Sequence, residues 1–379
     1  MRHLLPLLCG LLLAACGQRA ARPIGDFTLP VYTPRYASGF EITGAAGSRS
    51  TLVTVHNPWY GDEVTDQYLF IARDGEPAPA GFEGQVLRDE ARRVVCMSGS
   101  YIAMLDALGA ADRVVGVSGA QYLINETLRR RIARGEAADV GFDSNVDFER
   151  LMALRPDLVM LFGIGGADTA LTGKLRELGI PYLYMGEHCE ESPLGKSEWV
   201  VVAAEIAGLR TEGSRLFAAI PERYERLRAL AQQTAARPRV MLNTPYRDTW
   251  FMPARNSYMV RLLEDAGARY IFEENTATQT LPIDIEQAYY LTSKSDFWLN
   301  VSGCNTLDEV RRQNPRLADT PPVREGRVYD NNRRRNAAGG SDFWESGVLR
   351  PDRVLADLVH IFHPELSETD ELYYYRQLE

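Results

Sequence analysis

From Arg93 onward the chain repeats one unit: an apolar strand-like run, a loop of small residues, then an amphipathic stretch of helical period. Val94-Val95 leads to Ser98-Gly99-Ser100 and a helix over Tyr101 to Leu108, and Val114 to Val117 leads to Ser118-Gly119. Leu158 to Phe162 leads to Gly163, and Pro181 to Met185 leads to Gly186. Strands separated by helices are too far apart in sequence for hairpins, so the unit builds a mainly parallel sheet covered by helices. A second series starts at Arg239 to Leu242 and continues through Tyr270 to Phe272, Phe297 to Val301 and Arg327 to Tyr329. It closes in a helix near Asp352 to Phe362, so the fold class is α/β with two lobes, residues 91–210 and 237–366.

Residues 211–236 join the lobes. Leu216, Ile220, Tyr224, Leu227 and Ala231 recur at spacings of three or four, the stripe of one long helix. Pro221 lies inside it and predicts a kink or a fresh start. Upstream, Phe40 to Ile42, Thr51 to His56 and Gln67 to Ile71 alternate with Gly and Asp turns, which predicts a small antiparallel β appendage over residues 40–90. Residues 367–379 read as a C-terminal tail.

The chain opens with a polar Met1-Arg2-His3, an apolar run over residues 4–15, and Leu13-Ala14-Ala15-Cys16. That run is too short to span a bilayer comfortably and has the length of a signal-peptide core. Its ending resembles a bacterial lipoprotein box, which makes residues 1–15 a signal, Cys16 the lipidated first residue and residues 16–39 a tether. Three cysteines remain, Cys96, Cys189 and Cys304, too few and too scattered for a disulfide framework, so free thiols are expected.

A formal charge of −9 disfavours the phosphate backbone, which excludes nucleic acid as a default partner. No HExxH, GxSxG or triad order is present, which argues against an enzyme. Gly163-Ile-Gly165-Gly166-Ala-Asp168 has Asp where a dinucleotide loop needs its last Gly, so no nucleotide cofactor is expected. The tract Glu187-His188-Cys189-Glu190-Glu191 has metal-ligand residue types, but it reads better as a solvated loop before a helix. Aromatics and arginines at loop positions say more. Tyr101, Tyr122, Tyr246, Arg247, Trp250, Arg333 and Trp344 fall near expected strand ends of both lobes, as rings and guanidinium forks for a bulky, partly anionic ligand.

The segments Arg93 to Gly109, Asp112 to Ser118 and Asn145 to Val159 resemble the periplasmic substrate-binding proteins of ABC importers for iron complexes and cobalamin. The resemblance runs from about Arg93 to Leu366. It looks closest to lipoprotein members from Bacteroidetes, through Asn57-Pro58-Trp59, Ser192 to Trp199, Asn256 to Met259 and Gly340 to Gly347. It implies two lobes on one helix, a ligand in the cleft, and one docking acid per lobe, Glu149 and Glu286, facing an inner-membrane permease and its ATPase. It further implies a periplasmic, lipid-anchored monomer that captures an iron-siderophore, haem or corrinoid. A carrier of bare zinc or manganese, or a chelatase-like metal enzyme, is the alternative.

Overall fold

A computed structural model describes residues 21–59, 65–163, 169–247, 249–277, 279–367 and 370–379. Cys16 and residues 164–168 of the glycine-rich loop lie outside them. The N-terminal lobe holds the parallel strands β6 (Val94–Cys96), β7 (Val114–Val117), β8 (Ala138–Asp139), β9 (Leu158–Phe162) and β10 (Tyr182–Met185), in the order β10-β9-β6-β7-β8. The C-terminal lobe holds β11 (Arg239–Leu242), β14 (Arg269–Tyr270), β16 (Phe297–Leu299) and β17 (Val328–Asp330), likewise parallel, with β18 (Arg376–Gln377) antiparallel at the edge. Beside it stands a small antiparallel sheet of β12 (Pro245–Tyr246), β13 (Thr249–Met252) and β15 (Leu281–Ile283). The two-lobed α/β architecture expected from the sequence is therefore present.

One helix, Arg210–Ala231, joins the lobes, about 33 Å long at 1.5 Å per residue. Pro221 is accommodated inside it without ending it, its ring buried on the packed face. The helix packs against Val200–Ile206 of the first lobe and Pro351–Phe362 of the second. Gly213 permits the first contact, because a Cβ there would lie 2.3 Å from that of Ala204.

The appendage is a five-stranded sheet of β1 (Leu29–Tyr32), β2 (Phe40–Gly44), β3 (Thr51–His56), β4 (Asp66–Ala72) and β5 (Gln85–Arg88), antiparallel except between β4 and β5. Its period-two alternation gives the sheet two apolar faces. Phe40, Ile42, Val53, Val55, Leu69 and Ile71 point into the main core, while Leu52, Phe70 and Ala72 form a small outer core with Phe27. The sheet is thus part of the first lobe's body.

Residues 21–39 correct the expected tether in the same way. Glu198 accepts the Tyr32 hydroxyl (2.8 Å) and the backbone N–H groups of Arg35 (2.9 Å), Tyr36 (2.7 Å) and Ala37 (2.7 Å). Glu190 accepts those of Ser38 and Gly39 and the Trp199 indole N–H. The C-terminal tail is equally fixed. Buried Asp357 takes the N–H groups of Tyr373, Tyr374 and Tyr375, which seats β18 on the sheet.

Candidate functional site

In open α/β sheets ligands bind beyond the carboxyl ends of the strands. Here those ends belong to two lobes tied to each other at two places. On one side Asn256 donates to Glu191, and the Lys196 ammonium stands 5.1 Å from the centre of the Tyr258 ring. Burial lowers the Lys196 pKa, against the pull of Glu187, Cys189 and Glu190. On the other side Glu345 accepts the N–H groups of Ile124 (2.9 Å) and Asn125 (2.6 Å), and the Asn336 amide donates to the carbonyls of Gln121 (2.9 Å) and Leu123 (3.1 Å).

The seven candidate ligand residues divide. Tyr122 is exposed in a single 3-10 turn just beyond β7, with its ring 6.3 Å from Phe142. Tyr246 and Arg247 are exposed on the hairpin between β12 and β13, with the guanidinium 5.4 Å from the ring centre. Trp344 is 59% exposed on the one-turn helix Asp342–Glu345. Arg333 follows β17 but is tied to Glu371 at 3.1 Å. Its neighbour Arg334 pairs with Asp342, whereas Arg335 makes no ion pair among the described residues.

Two residues are corrections. Tyr101 is fully buried, its hydroxyl donating to the Leu161 carbonyl at 3.2 Å, and burial holds its phenol far above the usual range. Trp250 is also buried. Its indole N–H donates to the Leu242 carbonyl at 2.8 Å, and its ring packs 5.6 Å from that of Trp298. It supports the hairpin that presents Tyr246 and Arg247 and offers no surface to a ligand. A buried indole needs a hydrogen-bond acceptor, and the carboxyl end of β11 provides one.

The acidic tract is not a solvated loop. Glu187 is buried and accepts the Ser100 hydroxyl at 2.9 Å. His188 sits 4.4 Å from the Phe162 ring, with Nε2 donating to the Gly163 carbonyl at 2.7 Å. Burial opposes its charge, but bonding to Cys189 and Glu187 outweighs that and lifts its pKa to about 9. Cys96, Cys189 and Cys304 are free thiols, as expected.

Burial pushes the Glu345 carboxyl up to about 7, opposed by its two N–H donors and reinforced by Asp342 and Asp106. Arg334 neutralises Asp342, and Asp106 accepts the Asn125 side chain. A raised folded-state pKa contributes stability below the unfolded value near 4.5 that is lost as pH rises through 7. The wild type should therefore lose stability relative to Glu345→Gln over that window, by roughly 3 kcal/mol at most. Parallel melting curves of the two proteins between pH 4 and pH 8 would refute this.

Residues 94–333 match the model of the periplasmic binding protein family, more than half of the chain. The chain belongs to the periplasmic binding protein family. Among curated relatives, this binding protein is 26% identical to an uncharacterized lipoprotein of Methanocaldococcus jannaschii over 82% of this chain and 77% of that one. A second lipoprotein of the same organism is 22% identical over 83% and 81%. These matches give no support to the expected kinship with Bacteroidetes. Among solved structures the fold is similar to a periplasmic heme-binding protein from Pseudomonas aeruginosa (TM-score 0.58, 20% identity, 76% of this chain and 98% of that one). It is also similar to the heme-binding protein of a Roseiflexus species (0.55, 20%, 72% and 98%). A protein of an Fe3+-hydroxamate transport system from Saccharomonospora viridis matches at 0.53 with 17% identity, over 72% and 94%.

Proposed function

We propose that this binding protein is the capture component of an ABC importer and takes a bulky metal chelate, an iron-siderophore, haem or corrinoid, into the cleft between its lobes. The supporting observation is the set of exposed groups beyond the strand ends of both lobes: Tyr122 on one, Tyr246, Arg247 and Trp344 on the other. Rings supply flat apolar contact, and a guanidinium pairs with carboxylate edges. Neighbours of the same fold are described as binding heme or serving Fe3+-hydroxamate transport. Capture and hand-over, without chemistry on the ligand, make it a carrier and not an enzyme. Bare zinc or manganese would need converging His, Cys or carboxylate side chains, and among the described residues no group of three stands close enough.

Hemin, a ferric trihydroxamate and cobalamin, each tested against the full chain, separate the readings. One of them should raise the melting temperature, since free ligand at a hundredfold its dissociation constant adds about 2.7 kcal/mol. Trp344 fluorescence should fall with it, and Tyr122→Ala should weaken binding about tenfold, in line with the loss of one stacked ring. Shifts with free divalent metals alone would replace this reading with the bare-metal one.

Anchoring through Cys16 belongs to the same proposal. The family is periplasmic and the curated relatives are lipoproteins. Among the described residues no helix is long and apolar enough to cross a membrane. Acylation needs the thiol, so Cys16→Ser should move the protein out of the membrane fraction of its host. Equal retention of the variant would refute the anchor.

A further inference from the structure

We propose that Glu345 is a positioning residue that clamps the Tyr122 loop to the C-terminal lobe, so that Tyr122 and Trp344 form a preset ligand platform across the cleft. The inference deepens the chelate-carrier reading and rests on it for the ligand.

The one-turn helix Asp342–Glu345 sends three consecutive side chains to three destinations. Phe343 goes into the core, Trp344 into solvent, and Glu345 across to the other lobe. The turn is braced from behind, with Asp342 accepting from Arg334 at 2.6 Å and the Asp342 N–H donating to the Arg334 carbonyl at 2.9 Å. Each Glu345 oxygen then takes one N–H of the segment that follows Tyr122. Both amides are committed to a buried carboxylate, and such charge-assisted bonds are stronger than bonds between neutral groups. Asn336, from the same C-terminal segment, secures the carbonyls on either side of Tyr122. Gly340 fits under it, because a Cβ there would lie 1.7 Å from the Tyr122 carbonyl oxygen. The loop of one lobe is therefore shaped by a segment of the other, and that segment also displays Trp344. Fixing two aromatic groups before the ligand arrives removes an ordering cost from binding.

Hydrogen exchange by NMR at pH 8, where the carboxylate is ionised, tests the clamp without any ligand. The Ile124 and Asn125 amides should be protected in the wild type and lose protection at least tenfold in Glu345→Gln, whose NH2 group opposes one of them, while the Val159 amide in β9 stays unchanged. Gly340→Ala, which keeps the carboxylate but fills the space under Tyr122, should loosen the same two amides. Unchanged exchange of both amides in the two variants would overturn the clamp. The coupling to Tyr122 is read from affinities for hemin and the ferric trihydroxamate in Glu345→Gln, Tyr122→Ala and the double variant. Losses that fail to add support positioning, and fully additive losses overturn it. If neither of these probes nor cobalamin binds the wild type, the chelate reading falls, and the exchange experiment still decides the clamp.

Discussion

Glu198→Ala should destabilise the protein by about 3–5 kcal/mol and loosen residues 32–37 from the first lobe, because it leaves a cluster of buried donors without their acceptor. Glu198 is wholly buried, and four donors converge on it: one hydroxyl and three successive N–H groups. The bend at Arg35 and Tyr36 leaves those amides without a backbone acceptor among the described residues, so the carboxylate takes that place. Glu198→Gln keeps an acceptor oxygen and should fall between the wild type and alanine. Urea unfolding gives the size of the effect, and trypsin gives its location, since Arg35 lies within the released segment. A variant with the wild-type midpoint and a protected Arg35 would show that the carboxylate holds nothing.

The same residue illustrates what a sequence can and cannot disclose. Strand β9 falls at Leu158–Phe162 as its apolar run predicts, and the connecting helix keeps the stripe seen in its spacing, because both signals are local. Glu190 and Glu198 act on partners more than 150 positions away, and no local pattern marks a glutamate as a backbone acceptor. Two-residue β18 has no period to detect. It forms because Asp357, on a helix, captures the preceding amides. Tyr101 and Trp250 failed as ligand residues for a related reason: an aromatic near a strand end is equally suited to core and cleft, and only the face it occupies decides. Ser192 to Trp199 meets Asn256 to Met259, and Gln121 to Asn125 meets Asn336 to Glu345, each across a long stretch of chain. Polar groups in apolar surroundings imply unseen partners.

Reversing both Glu149 and Glu286 to arginine should abolish delivery and leave capture intact. The two residues occupy one register in two lobes. Asp147-Phe148-Glu149 and Asp284-Ile285-Glu286 each place an Asp at the N-cap, bonding the N–H three residues on, with the exposed glutamate in the first turn. The Asp147 N–H donates to the carbonyl of Val140, just past β8, whose own N–H donates to Val117 at the end of β7, and Ile283 pairs with Trp250, whose indole binds the end of β11. Both helix starts therefore lie at the carboxyl ends of their sheets' strands. As dipole partners alone the glutamates would be worth about 0.3–1 kcal/mol each, too little to affect uptake. Glu286 is already paired with Arg316 at 2.9 Å, but both side chains are largely exposed, so a permease arginine could displace that partner for about 1 kcal/mol or less. Charge pairs across an interface set association rate and register, so neutral Glu→Gln variants should show weakened, less salt-sensitive docking, and reversal should do worse by opposing like charges. The decisive measurement pairs calorimetric ligand affinity with transport in vesicles containing the permease and its ATPase. Normal transport by the doubly reversed protein would place the docking surface elsewhere, and loss of ligand affinity would assign these residues to the cleft.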